Sequence, residues 1–96
     1  MSEVPGNIKK VVFSARMAWA QYAEYCAQDP KYVRRINQLI RDMIRSPYEG
    51  VGKPEPLRGD LSGWWSRRID SKNRIVYRLA DEGRALEILA IGGHYD

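Results

Sequence analysis

The sequence predicts an α+β domain in which two N-terminal helices pack on one face of a mostly antiparallel sheet. One short β-branched segment comes first, two segments with helical periodicity follow, and a run of alternating segments separated by turn residues completes the chain. This order of elements is typical of α+β folds. The 96 residues correspond to a single domain, 1–96, with one core. We expect residues 1–7 to be a flexible lead-in.

The first strand and the first helix are predicted in the N-terminal quarter of the chain. Lys10–Phe13 is short, β-branched and flanked by polar residues, which indicates a strand. Ser14 is a candidate cap for a helix from Ala15 to about Gln28. Residues at helical spacing are predicted to form its apolar side, namely Trp19, Tyr22 and Cys26. We expect Trp19, Tyr22 and the methionines to lie in the core.

The second helix has the clearest boundaries. Asp29 is predicted as its N-cap and Pro30 as its first residue, and Pro47 follows its expected end at Arg45. An apolar stripe runs along it, formed by Val33, Ile36, Ile40 and Met43 or Ile44. The residues predicted to lie largely off this stripe are Arg34, Arg35, Arg41 and Asp42.

The rest of the chain predicts strands. A loop rich in glycine and proline, Tyr48–Leu57, is expected to end in a short strand. Trp64–Ile69 and Arg74–Leu79 are predicted to form a hairpin that turns through residues 70–73. A last strand, about Ala85–Ile91, follows another turn. Side chains alternate along a strand, so the helix-free face is expected to present three arginines together: Arg68, Arg74 and Arg78.

Composition excludes several classes of protein. No run of about 18 apolar residues is present, so no membrane span is expected. The N-terminus lacks a secretory pattern, and together with the single cysteine this indicates a cytoplasmic protein. One cysteine and one histidine disfavour a zinc site, and no phosphate-binding glycine loop is present. We therefore expect no metal and no cofactor.

The positive charge is concentrated in one segment. Residues 53–78 contain seven basic and three acidic residues, which accounts for the whole formal net charge of +4. Arginine outnumbers lysine there, and its planar guanidinium suits phosphate. A nucleic-acid partner, an acidic protein partner and a merely solvated basic face all remain open on charge alone.

Two residues are candidates for proton transfer. Glu55 lies between Pro54 and Pro56 on a stiff, extended backbone, and it is either a base or an exposed loop acid. His94 is the only histidine, and an unperturbed imidazole pKa near 6.5 suits proton exchange at neutral pH. It is either an acid or a frayed tail residue. Tyr95 either contacts a nucleobase or anchors the chain end.

Trp64 and Trp65 are neighbours on a predicted strand, so they cannot face the same way. One is expected in the core, and the other is free to stack on a nucleobase.

A general base, a general acid and several arginines are what metal-free RNA cleavage requires. The base deprotonates a 2′-hydroxyl, cations stabilise the charge on the phosphorane, and the acid protonates the leaving 5′-oxygen.

Several motifs in order give the chain a family resemblance. They are Ser46-Pro47-Tyr48-Glu49-Gly50, Gly52-Lys53-Pro54-Glu55-Pro56-Leu57, Leu61-Ser62-Gly63-Trp64-Trp65-Ser66-Arg67-Arg68-Ile69, Arg74-Ile75-Val76-Tyr77 and His94-Tyr95. With these motifs the chain resembles the YoeB-type toxins of bacterial toxin–antitoxin systems, within the RelE superfamily. The resemblance implies a RelE-like microbial RNase fold. It also implies a ribosome-dependent endoribonuclease that cuts messenger RNA in the A site.

The resemblance also implies roles for residues and a set of partners. Glu55 matches the general base, His94 the general acid, Arg74 the arginine that stabilises the transition state, and Tyr95 the tyrosine that orients the substrate. The residues expected to bind RNA are Lys53, Arg58, Trp64 and Arg68; Arg58 stands where the family has a lysine. The implied partners are a YefM-type antitoxin, the 70S ribosome with its mRNA, and a second copy in a homodimer.

The chain also departs from the family pattern near its end. Gly92 and Gly93 stand where some relatives have a basic and an aromatic residue, and Asp96 extends the chain past Tyr95. If the Asp96 carboxylates approach His94, they favour protonated imidazole. Two other functions stay open: a non-catalytic inhibitor that binds the ribosome or RNA, and a gyrase poison on the same scaffold.

Overall fold

The computed structural model describes residues 7–93, which contain a five-stranded sheet. Its strands are β1 (Lys10–Phe13), β2 (Glu55–Pro56), β3 (Trp65–Arg68), β4 (Arg74–Ala80) and β5 (Ala85–Ile91). They lie in the order β1-β5-β4-β3-β2. β1 runs parallel to β5, and the other neighbours are antiparallel. The predicted mostly antiparallel sheet is confirmed.

Two helices, α1 (Ala18–Gln28) and α2 (Pro30–Arg45), pack on one face of this sheet. The apolar stripe of α2 meets the inward side chains of β4 and β5, and this contact forms the core. Its fully buried members include Ile36, Leu39, Met43, Ile75, Tyr77 and Leu86. The predicted helical hairpin on one sheet face is therefore confirmed.

The two helices begin in different ways. The Asp29 carboxylate accepts a hydrogen bond from the Tyr32 N–H at 3.2 Å, with Pro30 as the first helical residue, as predicted. α1 begins at Ala18, so the predicted start at Ala15 is wrong. Ser14 Oγ accepts the Ala18 N–H at 2.9 Å and donates to the Leu89 carbonyl at 2.6 Å. Ser14 thus ties the end of β1 to β5, and a separate turn precedes the helix.

The apolar side predicted for α1 is also partly wrong. Trp19 is 57% exposed and Cys26 is exposed, whereas Ala18 is fully buried and Tyr22 is half-buried against the core. Among the methionines, Met43 is buried but Met17 is exposed. The reason is geometric: the buried stripe of α1 begins at Ala18 and continues at i+4, so it leaves Trp19 at the edge of the helix.

The face of the sheet that carries no helix, here called the helix-free face, is polar and largely cationic. Its side chains include Glu55, Trp64, Ser66, Arg68, Arg74, Arg78 and Glu87. Trp65 points the other way, packs against the core and lies 4.8 Å from the Tyr48 ring centroid. The structure confirms the prediction that Arg68, Arg74 and Arg78 share the helix-free face. It also confirms that the two tryptophans point to opposite faces of the sheet.

The lengths and compositions of the two helices bear on whether they could span a membrane. Neither α1 nor α2, the two α-helices in the described part of the chain, is long and apolar enough to cross a membrane.

Candidate active site

An ion pair between two predicted catalytic residues lies on the helix-free face, near the β2 edge of the sheet. Glu55 is in β2 and Arg74 begins β4, and Arg74 Nη1 donates to Glu55 Oε1 at 2.6 Å. The same nitrogen donates to Ser66 Oγ at 3.1 Å. Strand register explains this meeting, because Glu55 is paired with Ser66 on β3 and Ser66 is paired with Val76 on β4. The guanidinium is thus held beside the carboxylate by a side chain between them.

The cations around Glu55 keep its carboxyl group ionised. The hydrogen bond from Arg74 is the main cause of a lowered pKa of Glu55, which desolvation partly opposes. The positive charges of Arg74, Arg68 and Lys53 lower the pKa further. A lowered pKa means that Glu55 is a carboxylate throughout the neutral range, which is the protonation state that a base requires.

The other predicted RNA-binding cations lie at different distances from this pair. Arg68 lies directly opposite Arg74 in the β3–β4 ladder, and its side chain is exposed. Like charges at such a pair are unfavourable unless an anion lies between them. Arg58 is exposed at the start of a 3₁₀ turn, Gly59–Leu61, and makes no ion pair within residues 7–93.

The loop that leads to Glu55 is fixed by a buried arginine. The Arg67 side chain is fully buried, and its guanidinium donates to three loop carbonyls, those of Ser46, Glu49 and Val51. Its Nε donates to the Tyr77 hydroxyl at 3.2 Å, and that hydroxyl donates to the Pro47 carbonyl at 2.7 Å. The segment from Ser46 to Val51 is therefore attached to β3 and β4.

A buried carboxylate compensates the charge of Arg67. Asp42 Oδ2 accepts from Arg67 Nη1 at 2.5 Å and from the Val51 N–H at 3.0 Å, while Arg45 donates to its other oxygen. Asp42 was predicted to lie off the buried stripe of α2, and this is wrong. The hydrogen bond from Arg45, followed by those from Arg67 and Val51, outweighs burial and lowers the Asp42 pKa to about 2.

The loop also approaches β3 closely at Gly52, which helps to fix the position of Glu55. The Arg68 N–H donates to the Gly52 carbonyl at 2.6 Å, and Gly52 has φ +82°. A Cβ there would lie 2.9 Å from the Arg68 carbonyl oxygen and 2.9 Å from Leu39 Cδ2. Only glycine fits this position without a shift. Lys53 is also left-handed, with φ +53°, a conformation that costs roughly 1–3 kcal/mol and here sets the direction of the chain into Glu55.

Sequence reasoning missed Ser66, Asp42 and Arg67 as supporting residues of the site. A signal for the last two was present. Alternation places Arg67 on the same side as Trp65 and Ile69, facing the helices, and Asp42 is the only acid in α2. A buried arginine needs a charged partner.

The predicted acid, His94, and the predicted orienting residue, Tyr95, lie outside the described residues. The described chain ends at Gly93, close to the ion pair. The Gly92 N–H donates to the Arg74 carbonyl at 2.7 Å, and the Gly93 N–H donates to Asn73 Oδ1 at 3.0 Å.

The described groups favour acid–base and electrostatic chemistry. Between residues 7 and 93, no three histidine, cysteine, aspartate or glutamate side chains cluster so that they could hold a metal ion. The described residues offer an ionised carboxylate, a guanidinium within hydrogen-bond distance and a second exposed arginine opposite it. Together these groups can bind a phosphodiester and remove a proton from a hydroxyl beside it.

Comparison with known proteins identifies the family to which this chain belongs. Residues 13–95 match the family model described as YoeB-like toxin of bacterial type II toxin–antitoxin system. Toxin YoeB of Streptomyces coelicolor is 46% identical over 86 residues, which cover 90% of this chain and 99% of that protein. The solved YoeB/ParE toxin from Agrobacterium tumefaciens is 43% identical with a TM-score of 0.85, covering 90% of this chain and 99% of that one.

Two solved structures from Staphylococcus aureus are also similar. A YoeB dimer is 33% identical with a TM-score of 0.81, covering 93% of this chain and 99% of that one. A YoeB–YefM complex contains a chain that is 34% identical with a TM-score of 0.81, covering 91% of this chain and 98% of that one. The class that this fold and its cationic face define is that of the RelE-like toxins. Within it, the chain belongs to the YoeB-like toxin family and is the toxin of a toxin–antitoxin system.

Proposed function

We propose that this toxin is a ribosome-dependent endoribonuclease that cuts messenger RNA in the A site and so inhibits translation. The observation that carries the proposal is the Glu55–Arg74 pair, with 2.6 Å between carboxylate and guanidinium on a cationic sheet face. A base beside a phosphate-binding group is the minimal arrangement for attack by a 2′-hydroxyl on the adjacent phosphate. The reaction needs no cofactor, and only RNA carries the nucleophile.

Glu55 acts as the general base. In the free protein its proton affinity is reduced by the hydrogen bond from Arg74. When a phosphate engages the Arg74 guanidinium, the anion competes for the same donors and the carboxylate regains basicity. Glu55 then takes the 2′-hydroxyl proton as the 2′-oxygen bonds to phosphorus. Binding of the substrate therefore activates the base at the point where it is needed.

Arg74 stabilises the transition state. Charge develops on the equatorial oxygens of the phosphorane, and a guanidinium already held by Ser66 Oγ at 3.1 Å needs little reorganisation to meet it. Arg68 faces Arg74 across the ladder and Lys53 lies on the loop before Glu55, so both add positive potential for the RNA backbone. Arg58 and Trp64 extend the binding surface.

His94 donates the proton to the leaving 5′-oxygen as the phosphorus–oxygen bond breaks, and the 5′ fragment retains a 2′,3′-cyclic phosphate. Support for this role comes from the chain end, since Gly93 is hydrogen-bonded next to Arg74 and His94 is the next residue. Tyr95 orients the substrate.

The partners of the toxin are also part of this proposal. A YefM-type antitoxin is proposed as the partner that neutralises the toxin, because a relative from Staphylococcus aureus was solved in a YoeB–YefM complex. A homodimer is proposed because a relative was solved as a dimer. The 70S ribosome and its mRNA are the substrate complex, and the protein acts in the cytoplasm.

Primer extension on translated messages tests the proposal. Wild-type protein should produce A-site cuts, and Glu55→Gln or His94→Gln should abolish them. Glu49→Gln is the matched control, because Glu49 is an exposed acid in the same loop and only its backbone carbonyl holds Arg67. Translation arrest without RNA breaks would indicate a non-catalytic inhibitor, and DNA damage on expression would indicate a gyrase poison. Unchanged cutting by Glu55→Gln would refute the assigned base.

A further inference from the structure

A second candidate site lies on the helix-free face, towards the β1 edge. It is a groove of about 210 Å³ whose lining includes Trp64, Arg78 and Glu87, with Ser14 at its β1 end. Val12 and Leu89 form apolar parts of the groove. The groove contains neither Glu55 nor Arg74 and is separate from the ion pair described above.

Arg78 contacts both of the other two side chains, Trp64 and Glu87. The Arg78 guanidinium lies over the Trp64 ring, with its Cζ 4.3 Å from the ring centroid. Its Nε donates to Glu87 Oε1 at 2.7 Å. Arg78 remains 45% exposed and Glu87 32% exposed. Ion pairs so exposed contribute little to stability, and both side chains remain accessible to a ligand.

The groove lies within reach of a strand of RNA bound at Arg74. Arg78 is four residues along β4 from Arg74, which is about 13 Å at the strand rise, and the two share a sheet face. Trp64 is two residues from Ser66 on the β3 side. An RNA backbone that crosses from Arg74 along β4 therefore brings a neighbouring nucleotide to the groove.

We propose that Trp64, Arg78 and Glu87 form a base-binding subsite that receives one nucleobase flanking the scissile phosphate, a proposal that rests on the nuclease function above. Aromatic rings and arginine guanidinium planes stack on unpaired bases. A carboxylate accepts hydrogen bonds from exocyclic amino groups, and Arg78 occupies only one of the two Glu87 oxygens. The subsite therefore favours adenine, cytosine or guanine over uracil.

RNA is favoured over a peptide as the occupant. Arg78 lies on the same strand and the same sheet face as Arg74, and the aromatic and guanidinium planes of the groove match the flat surfaces of a base. A segment of the antitoxin is the competing occupant, and the experiment separates the two.

Cleavage mapping on messages that carry each of the four bases at the flanking position is the test. Arg78→Lys keeps the charge but removes the plane, and Trp64→Leu removes the ring; each should lower kcat/KM roughly tenfold. Glu87→Gln should reduce discrimination against uracil by roughly tenfold. Arg84→Lys is the control, because Arg84 is 47% exposed and is paired with Asp81 and Glu82 in the β4–β5 turn. It should behave like wild type.

A second measurement keeps this proposal distinct from the nuclease proposal. Short single-stranded RNA is titrated into Glu55→Gln protein, alone and with Arg78→Lys added. If wild type makes no cuts but RNA binding depends on Arg78, the groove binds RNA as proposed, while the nuclease function and the place of the groove beside a scissile phosphate both fall. If wild type cuts and the groove variants cut with wild-type rate and preference, the subsite is overturned and the nuclease stands. Groove variants that lose only antitoxin binding assign the groove to the antitoxin and overturn the subsite. Absence of both cutting and RNA binding overturns both proposals.

Discussion

Replacing Asp42 by asparagine tests the support of the catalytic loop. The substitution keeps the shape of the side chain and one acceptor oxygen but removes the charge that compensates the fully buried Arg67. The Asp42 pKa falls from an ordinary 3.8 to about 2, and at 1.36 kcal/mol per pKa unit this corresponds to about 2 kcal/mol. Breaking a buried pair costs about 3–5 kcal/mol when the remaining charge is uncompensated.

The expected loss lies between these two figures. Three loop carbonyls and the Tyr77 hydroxyl still accept from Arg67 in the variant, so its guanidinium keeps hydrogen-bond partners. We expect Asp42→Asn to lower the free energy of unfolding by about 2–3 kcal/mol. For a chain of this size the Tm should fall by roughly 10–20 °C.

Urea unfolding at a series of pH values is the assay, carried out in a Glu55→Gln background that removes the proposed base. A lowered carboxyl pKa contributes stability that is complete above the unfolded value and is lost as the pH falls through the folded value. The difference between Asp42→Asn and its parent should therefore be constant above pH 4 and should shrink between pH 4 and pH 2.

Asp60→Asn provides the matched control, because Asp60 is an exposed acid in the 3₁₀ turn. Surface changes of this kind usually alter the free energy of unfolding by less than about 0.5 kcal/mol. If Asp42→Asn is as stable as Asp60→Asn, or if its deficit does not change between pH 4 and pH 2, the buried pair does not support the loop as argued.

Three further predictions concern the site itself. Gly52→Ala should lower the free energy of unfolding in urea by more than Gly59→Ala does. Both positions have positive φ, but only the added Cβ at Gly52 meets the Arg68 carbonyl. Equal losses in the two variants would show that the close approach at Gly52 does not constrain the loop. Arg74→Gln should raise the pKa of the Glu55 carboxyl, measured by NMR titration, and an unchanged midpoint would contradict the pairing. Arg74→Gln should also lower the rate constant of cleavage roughly 10²–10³-fold in single-turnover experiments on programmed ribosomes, where a smaller effect than tenfold would exclude a role in the transition state.

The elements that the sequence predicted well are those with local causes. Asp29 and Pro30 mark the start of α2 because a capping carboxylate and a fixed φ act within one helical turn. Alternation in β4 assigned its faces because the strand period holds over the whole segment.

The elements that the sequence missed depend on contacts distant in the chain. Asp42 meets Arg67, which is 25 residues away, and helical periodicity alone treats such an acid as a surface residue. Ser14 bonds the Leu89 carbonyl because β1 is parallel to β5, a pairing between the two ends of the described chain that no local pattern specifies.

The candidate site was predictable in part for the same reason. Faces and residue types placed Arg68 and Arg74 together, and the structure bears this out. The contact between Glu55 and Arg74 follows from the registers of β2, β3 and β4, which depend on the loop held by Arg67. The side chain between them, Ser66, is a small polar residue whose role appears only with that register.

The central claim is that Glu55 and Arg74 direct attack by an RNA 2′-hydroxyl, and one substrate tests it most directly. A message is placed on ribosomes with a single 2′-deoxynucleotide at the mapped cut, on the 5′ side of the scissile phosphate, and is compared with its all-ribose counterpart. The all-ribose message should be cut and its 5′ fragment should end in a 2′,3′-cyclic phosphate, while the deoxy message should stay intact at that position. Cutting of the deoxy message at the same site and rate would contradict the mechanism.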